Sequence, residues 1–324
     1  MQYLGINMWH YGVTLLFMLS VSGPANALNI ADNASSLPIE MMDDRGSVIR
    51  LKQPAQRIIS LSPNITELIF SAGAGGKLVG VSRYSDYPDA AKSIPNIGDA
   101  SALDLERIVA LQPDLVIVWR GGNAQVDMEK LEKLRLAVFA TEATHLEDIP
   151  RLLRAIGQLA GTSAQGEQAA ATYEEKLQQI GRAYGDHRKI KVFQLIWDQP
   201  LMTVNRNHII NDILELCGGT NVFASAPFLT PVISRENLVE ADPHVIISSV
   251  PLDGIQADEN ILERRFPNIN AIRNRHLFFV PPDLIHRPTV RLLRAARMVC
   301  EQLESVRAGG RIGKQWKALQ PVRV

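Results

Sequence analysis

One phrase occurs twice in the sequence, first over residues 103–122 and again over residues 233–250. Each copy opens on polar residues, continues with apolar residues at helical spacing, meets a proline beside an aspartate, and ends in a run rich in valine and isoleucine. This order predicts a helix followed by a buried strand in both copies. Glu106 and Glu236 hold matching places, 130 residues apart. Such internal similarity predicts two lobes built on one plan.

The similarity extends upstream of both copies. In each half, the pattern predicts strand, helix, strand, connection, helix, strand, which is typical of parallel sheets covered by helices. Strands are predicted at residues 57–61, 78–81, 115–119, 192–197, 221–223 and 245–249. Helices are predicted to start at Asn64, Asp104, Asn211 and Arg235, and a hairpin is predicted within residues 39–51. The predicted fold is α/β: two similar lobes with central parallel sheets flanked by helices, joined by a single long backbone helix.

The connector between the halves is predicted at residues 144–186, where apolar residues keep helical spacing and no strand pattern occurs. It reads as one long helix, or as two helices separated at Gly161-Thr162-Ser163. The predicted segments are a signal peptide (1–27), an N-terminal segment with the hairpin (28–56), the first lobe (57–143), the connector (144–186), the second lobe (187–308) and a flexible basic tail (309–324).

Composition excludes some classes of function. The chain has 34 basic and 34 acidic residues among 324, so its net charge does not attract nucleic acid. The sequence has no G-x-S-x-G, H-E-x-x-H, Walker or C-x-x-C motif, and no convincing catalytic cluster. We therefore predict a protein that is not an enzyme and that has no cofactor or metal.

The first 27 residues have the layout of a secretory signal. A short apolar run over residues 13–21 precedes the small-x-small pattern Ala25-Asn26-Ala27, although no Lys or Arg stands before the run. The alternative is an uncleaved anchor or a misassigned start. We predict export to the periplasm. In an exported protein the pair Cys217 and Cys300 suggests one disulfide, with two buried free thiols as the alternative.

Aromatic residues follow several predicted strands. Tyr84, Trp119 and Trp197 stand at or just beyond strand ends, and α/β sheets bind ligands beyond the carboxyl ends of their strands. Large flat side chains with a polar group suit a large, flat, partly polar ligand. Residues in later loops could reach the same cleft: Phe228, Asp283 and Arg287. For each of these aromatics, core packing is the alternative.

Glu106 and Glu236 each fall in the first turn of a predicted helix, where the helix dipole favours a carboxylate. That alone is a sufficient structural reason for either residue. Their equivalence in two lobes adds another interpretation, in which two carboxylates dock on two basic pockets of a two-fold symmetric partner.

The whole pattern resembles periplasmic substrate-binding proteins of ABC importers, in the group with a single helical backbone (class III), which handles cobalamin, haem and iron-siderophores. The resemblance covers residues 39–307. The similarity to cobalamin (vitamin B12) binders is more specific and rests on YSDYP at 84–88, LERIVALQPDLVI at 105–117, WRGGN at 119–123, LCGGTN at 216–221 and VISRE at 232–236.

The resemblance implies a ligand, a partner and a set of residues. The ligand would be cobalamin or a related corrinoid, and the partner an ABC transporter permease dimer in the inner membrane, with the receptor itself a monomer. Glu106 and Glu236 would dock on the permease, and Cys217 and Cys300 would form the family's disulfide. The implied ligand-binding residues are Tyr84, Trp119, Gly121, Gly122, Trp197, Phe228, Asp283, Leu284, Ile285, His286 and Arg287.

One departure leaves alternatives open. Cobalamin binders carry tryptophan six residues before each docking glutamate, where this chain has Ala100 and Thr230. A haem or iron-siderophore receptor of the same family is therefore the first alternative, with Tyr84 or His286 as an iron ligand. A tetrapyrrole metal chelatase is the second.

Overall fold

The computed structural model describes residues 38–100, 102–250 and 261–309. The predicted signal peptide and residues 310–324 of the predicted tail lie outside these ranges. Within these ranges, no helix combines the length and hydrophobicity needed to cross a membrane.

The described chain begins with the predicted hairpin. Strands β1 (Ile39–Met42) and β2 (Val48–Leu51) pair antiparallel, with Met42 opposite Val48. The Asp43 carboxylate closes the turn by accepting from the backbone N–H groups of Arg45 at 2.9 Å and Ser47 at 3.0 Å. The predicted hairpin is therefore confirmed.

The first lobe contains a four-stranded parallel sheet in the order β4-β3-β7-β8. Its helices lie between successive strands, as the alternating pattern predicts. The elements are β3 (Ile58–Ser60), α1 (Pro63–Ser71), β4 (Leu78–Val81), β5 (Gly98–Asp99), β6 (Ala102–Leu103), α2 (Leu105–Ala110), β7 (Leu115–Trp119), α3 (Gln125–Lys133) and β8 (Val138–Thr141). The short strands β5 and β6 form a separate antiparallel pair.

Two helices follow, α4 (Asp148–Ala160) and α5 (Ser163–Tyr184). The chain reverses at Gly161, whose φ of +70° favours glycine, so the connector is the second of the two predicted arrangements, two helices separated at this glycine. Arg154 of α4 binds Glu167 at 2.8 Å and Glu174 at 2.6 Å on α5, which holds the two helices side by side. The backbone helix between the lobes is α5 alone, about 33 Å long for its 22 residues.

The second lobe repeats the plan of the first. Its parallel sheet has the order β10-β9-β11-β12, so both sheets place their strands as second, first, third and fourth. The elements are β9 (Ile190–Leu195), α6 (Ile209–Leu216), β10 (Gly219–Asn221), α7 (Arg235–Ala241), β11 (Val245–Ser248), α8 (Ile261–Arg265), α9 (Asn270–Arg273) and β12 (Leu277–Phe279). The duplication predicted from the repeated phrase is therefore confirmed.

The chain closes with α10 (Pro282–Ile285) and α11 (Leu292–Arg307). Cys217, which follows α6, is joined to Cys300 of α11 by a disulfide with a Cα–Cα distance of 4.6 Å. The disulfide ties α11 to the second lobe.

The start of α6 differs from the prediction. The helix begins at Ile209, and His208 caps it by accepting the Ile210 backbone N–H on Nδ1 at 3.1 Å. Asn211 lies inside the helix, where its side chain bonds Glu215 at 2.9 Å. Asparagine is a common helix cap, but the imidazole takes that place here.

The core is continuous between the lobes. Ile58 of β3, Tyr173 of α5 and Ile247 of β11 all belong to one buried apolar cluster. Ile59, the next residue along β3, belongs to a second cluster on the opposite face of the first sheet, because strand side chains alternate. A third cluster covers the outer face of the second sheet. Both lobes therefore share the core layer that contains α5.

Candidate functional site

Tyr84 lies in the loop that leaves the carboxyl end of β4. Two hydrogen bonds fix this loop. The Thr66 hydroxyl donates to Ser85 Oγ at 3.0 Å, and the Ser82 backbone N–H donates to the Ser60 carbonyl at 2.9 Å. Tyr84 has φ +67°, a left-handed conformation that is uncommon for a non-glycine residue. Strain of this kind is often found at functional sites. The loop holds the Tyr84 ring out in solvent.

Trp119 is the last residue of β7. Its indole Nε1 donates to Glu142 Oε1 at 3.0 Å, and its backbone N–H donates to Asn123 Oδ1 at 2.7 Å. A Cβ atom on Gly122 would lie 1.9 Å from the indole ring, so only glycine lets the ring rest on this loop. A Cβ atom on Gly121 would lie 2.8 Å from Glu142 Oε2. The two glycines therefore set the position of Trp119.

Trp197 and Phe228 stand on the second lobe. Trp197 follows β9, and its indole Nε1 donates to the Gln199 carbonyl at 2.9 Å. The loop that carries Phe228 is held by Asn205, whose N–H donates to the Leu229 carbonyl at 3.0 Å and whose side-chain amide donates to the Ala226 carbonyl at 3.1 Å. Both aromatics are presented by anchored loops.

These four aromatics are exposed, from 36% for Trp119 to 71% for Phe228. Core packing, the alternative for each of them, is therefore excluded. Tyr84 and Trp119 stand at the carboxyl edge of the first sheet, and Trp197 stands at the carboxyl edge of the second. Large exposed aromatic area at such edges is typical of ligand sites.

The segment from Asp283 to Arg287 is divided between the core and the solvent. Leu284 and Ile285 are buried in the apolar core, so they are removed from the predicted ligand set. They entered the predicted set because the resemblance implied the whole segment from Asp283 to Arg287. Asp283 and His286 keep exposed side chains, while that of Arg287 is largely enclosed by carboxylates.

His286 lies at the carboxyl edge of the second sheet. Its Nε2 shares a hydrogen bond of 2.7 Å with the hydroxyl of Ser249, the residue that follows β11. Surrounding protein lowers the pKa of His286 by desolvation, and burial lowers the pKa of nearby His208 to about 4. Both imidazoles are therefore neutral at pH 7.

Five charged residues meet where the lobes face each other, and we call them the lobe-junction cluster: Glu67, Asp86, Asp283, Arg287 and Arg291. Arg287 Nη1 donates to Asp86 at 2.7 Å and to Glu67 at 3.2 Å, and its Nη2 binds Asp283 at 2.9 Å. Arg291 Nε donates to Glu67 Oε2 at 2.8 Å. Glu67 and Asp86 belong to the first lobe, so this cluster joins the carboxyl edges of the two sheets.

Sequence analysis missed three members of this cluster. Glu67 falls in the first turn of the helix predicted to start at Asn64, and Asp86 falls in the YSDYP stretch at 84–88, but neither was given a role. Arg291 also packs its guanidinium over the Tyr87 ring, 4.2 Å from the centroid. The partners are more than 200 residues apart, so no local pattern could pair them.

Glu106 and Glu236 occupy the same position in equivalent helices. Each is the second residue of its helix, after Asp104 and Ser234, which cap by accepting a backbone N–H at 2.9 Å and 3.1 Å. Both glutamates are exposed. Hydrogen bonds from its own backbone N–H and from the Ser234 hydroxyl lower the pKa of Glu236.

A feature that sequence analysis missed accompanies these glutamates. Val109 and Val239 stand three residues further along the two helices, and both are exposed. Residues three apart share a helix face. Each lobe therefore presents a carboxylate beside an apolar side chain, at equivalent places.

Ala100 and Thr230 are both exposed and too small to form flat walls. No group of three or more His, Cys, Asp or Glu residues within 38–100, 102–250 and 261–309 is arranged to hold a metal ion.

Comparisons with known proteins agree with this geometry. Residues 58–284 match a family described as periplasmic binding protein. The chain is 33% identical over 261 residues to the vitamin B12-binding protein of Vibrio parahaemolyticus, covering 81% of this chain and 94% of the relative. It is 36% identical to that of Vibrio campbellii, covering 78% and 91%. The crystal structure of the periplasmic vitamin B12 binding protein BtuF of Vibrio cholerae superposes with a TM-score of 0.72 at 31% identity, covering 78% of this chain and 98% of that one.

Proposed function

Because the chain belongs to the periplasmic binding protein family, we propose that it is a periplasmic receptor that captures cobalamin or a related corrinoid between its lobes. Delivery to an ABC importer would follow, without chemical change to the ligand. The observation that carries the proposal is the set of exposed aromatics at the carboxyl edges of both sheets. Relatives named for vitamin B12 binding, aligned over more than nine-tenths of their length, support it.

The proposed ligand contacts come from both lobes. Tyr84, Trp119 and the Gly121-Gly122 turn would face the ligand from the first lobe, and Trp197 and Phe228 from the second. Stacking and apolar burial would supply most of the affinity, because each buried aromatic side chain removes 150–250 Å² from water at about 25 cal/mol per Å². Polar groups on Asp283, His286 and Arg287 would orient the ligand.

Equilibrium titration tests this proposal. The purified mature protein is titrated calorimetrically with cyanocobalamin, with haemin and with a ferric siderophore. We expect cyanocobalamin to bind one-to-one and to compete successfully with the other two. Haemin binding with a shifted Soret band, and no heat from cyanocobalamin, would instead favour the haem alternative through Tyr84 or His286. Turnover of a metal and porphyrin mixture would favour a chelatase.

We propose further that Glu106 and Glu236 dock the receptor on a permease dimer. The two carboxylates lie at equivalent places in equivalent lobes, which suits a partner with two-fold symmetry. Val109 and Val239 would add an apolar contact beside each carboxylate. In this proposal a single monomer of the receptor binds one dimeric permease, so that each lobe contacts one permease subunit.

A further inference from the structure

The lobe-junction cluster carries an excess of negative charge. Its three carboxylates, on Glu67, Asp86 and Asp283, face two guanidinium groups, on Arg287 and Arg291. One negative charge is therefore left over. The nearby side chains of His286 and His208 do not change this charge balance at pH 7. Desolvation lowers the pKa of each imidazole, so both are neutral.

The cluster exposes two of its three carboxylates to solvent and encloses its cations. The Arg287 and Arg291 side chains are largely buried, whereas the Asp86 side chain is 51% exposed and that of Asp283 is 61% exposed. Both Nη atoms of Arg287 already donate to carboxylates. A carboxylate offers only acceptor lone pairs. A ligand at this edge therefore meets acceptors, not cations.

Charged groups around the cluster do not reverse its sign. Arg265 is paired with Asp198 at 2.6 Å, and Arg83 with Asp99 at 3.4 Å. Lys92, whose charge acts on Asp86, is paired with Asp89 at 2.6 Å. On the Trp119 loop, the exposed Arg120 is matched in number by Glu142, which accepts from the indole. These groups bring equal numbers of positive and negative charges, so the excess at the lobe junction is retained.

We propose that Asp86 and Asp283 select, within the corrinoid site proposed above, for ligands that present neutral carboxamides in preference to carboxylates. An amide N–H₂ donates to a carboxylate oxygen, whereas a ligand carboxylate at the same place would meet a like charge with no donor between them. Corrinoids carry acetamide and propionamide side chains, and haem carries two propionates. The cluster thus distinguishes between two ligand classes of similar size and flatness. This inference depends on the proposed function.

The test compares cyanocobalamin with its b-, d- and e-monocarboxylic acids, in which one propionamide is replaced by a carboxylate of nearly the same shape. Affinities are measured calorimetrically at pH 7.5 and low salt. We expect at least one acid to bind about tenfold more weakly than the amide, a difference of about 1.4 kcal/mol. The ratio should shrink as salt is raised to about 0.5 M, where the Debye length is only a few ångströms.

Variants assign the effect to the cluster. In Asp86→Asn/Asp283→Asn the ratio should fall to about twofold or less, because both side chains keep their shape and the net charge of the cluster changes from one negative to one positive. Glu167→Gln is the matched control: Glu167 is an exposed carboxylate of α5 that pairs with Arg154, an arginine outside the cluster, at 2.8 Å. Its ratio should match that of the wild type.

Three outcomes would overturn the inference. The first is equal affinity of the wild type for the amide and all three acids at low salt. The second is a wild-type affinity ratio that does not change with salt concentration. This measurement uses only the wild type, so it does not depend on whether a variant folds. The third is an unchanged ratio in the double variant with intact cyanocobalamin binding. Absence of binding by cyanocobalamin and every acid would instead overturn the proposed function itself, and this inference with it.

Discussion

Arg291 and Glu67 are 224 residues apart in sequence, and the Arg291 Nε atom lies 2.8 Å from Glu67 Oε2. The Glu67 side chain is 1% exposed, and Arg287 of the second lobe is its other cationic partner. A carboxylate so buried is stable only while both arginines neutralise it. Breaking such a pair is costly because it leaves an uncompensated charge in the interior.

We therefore predict that Glu67→Gln lowers the free energy of unfolding by about 3–5 kcal/mol. Urea denaturation followed by circular dichroism measures the change. Glu167→Gln is the matched control, since Glu167 binds an arginine at 2.8 Å on the surface and should leave the urea midpoint almost unchanged. Equal midpoints for the Glu67 variant and the wild type would show that this junction contributes nothing to stability.

Trp197→Ala should weaken cyanocobalamin binding about 10- to 100-fold, because the variant loses both stacking and apolar contact area. Calorimetric titration measures the affinity. Leu134→Ala is the control: Leu134 is also exposed, but it follows the C-terminal end of α3, away from the carboxyl edges. If both variants bind as tightly as the wild type, Trp197 does not belong to the site.

The docking proposal predicts a separation of binding from transport. Glu106→Ala/Glu236→Ala should bind cyanocobalamin normally and fail to support its uptake into cells, because the carboxylates serve only the permease contact. Val109→Ser/Val239→Ser should reduce uptake in part. Glu175→Ala, an exposed change on α5 away from both docking helices, should have no effect. Normal uptake by the double glutamate variant would contradict docking through these residues.

His208 predicts a specific pH dependence of stability. Burial lowers its pKa from 6.5 to about 4, so between these values the unfolded chain binds a proton that the folded protein does not. The free energy of unfolding should therefore fall as the pH falls below 6.5, and His208 should account for about 2–3 kcal/mol of the loss at pH 4.5.

Urea titrations at pH 4.5 and 7.5 measure this contribution. In His208→Asn the asparagine still caps α6 and does not titrate, so the difference in unfolding free energy between the two pH values should shrink by about the same 2–3 kcal/mol. An unchanged difference would mean that His208 can be protonated in the folded protein without cost.

The disulfide closes a segment of 83 residues. Cys217→Ala/Cys300→Ala should lose about 4–5 kcal/mol of stability in the chain-entropy model. Chemical denaturation with and without a reducing agent measures this, and the double variant should not respond to the reductant. We expect cyanocobalamin affinity at low denaturant to be retained, because the bond joins α6 to α11 and not the aromatic loops. A reductant effect on the double variant would contradict this assignment.

Much of the fold follows from local pattern. The strand from Leu115 to Trp119 was predicted at its observed bounds, because a buried parallel strand is a continuous apolar run between turn residues. The pairing of Cys217 with Cys300 also followed, since only two cysteines were present. The sequence did not decide whether the helix ends at Gly161, because a glycine inside a helical pattern is either tolerated there or marks the end of the helix.

The candidate site was only partly predictable. Trp119 and Trp197 could be predicted as site residues because the ends of strands can be read from the sequence. Their exposure depends on the whole fold and could not be read in the same way. Leu284 and Ile285 were misassigned because burial within a four-residue helix depends on distant partners. Glu67 was missed for the same reason: its arginine partners lie on the other lobe, and no spacing along the chain reveals them.

The two lobes are joined at two separate places. One is the core layer that contains α5, and the other is the set of buried ion pairs of Glu67. Two lobes held in this way can move little relative to each other, so their facing surfaces are aligned before a ligand binds. Association then requires little ordering of the receptor, and more of the interaction free energy appears as affinity.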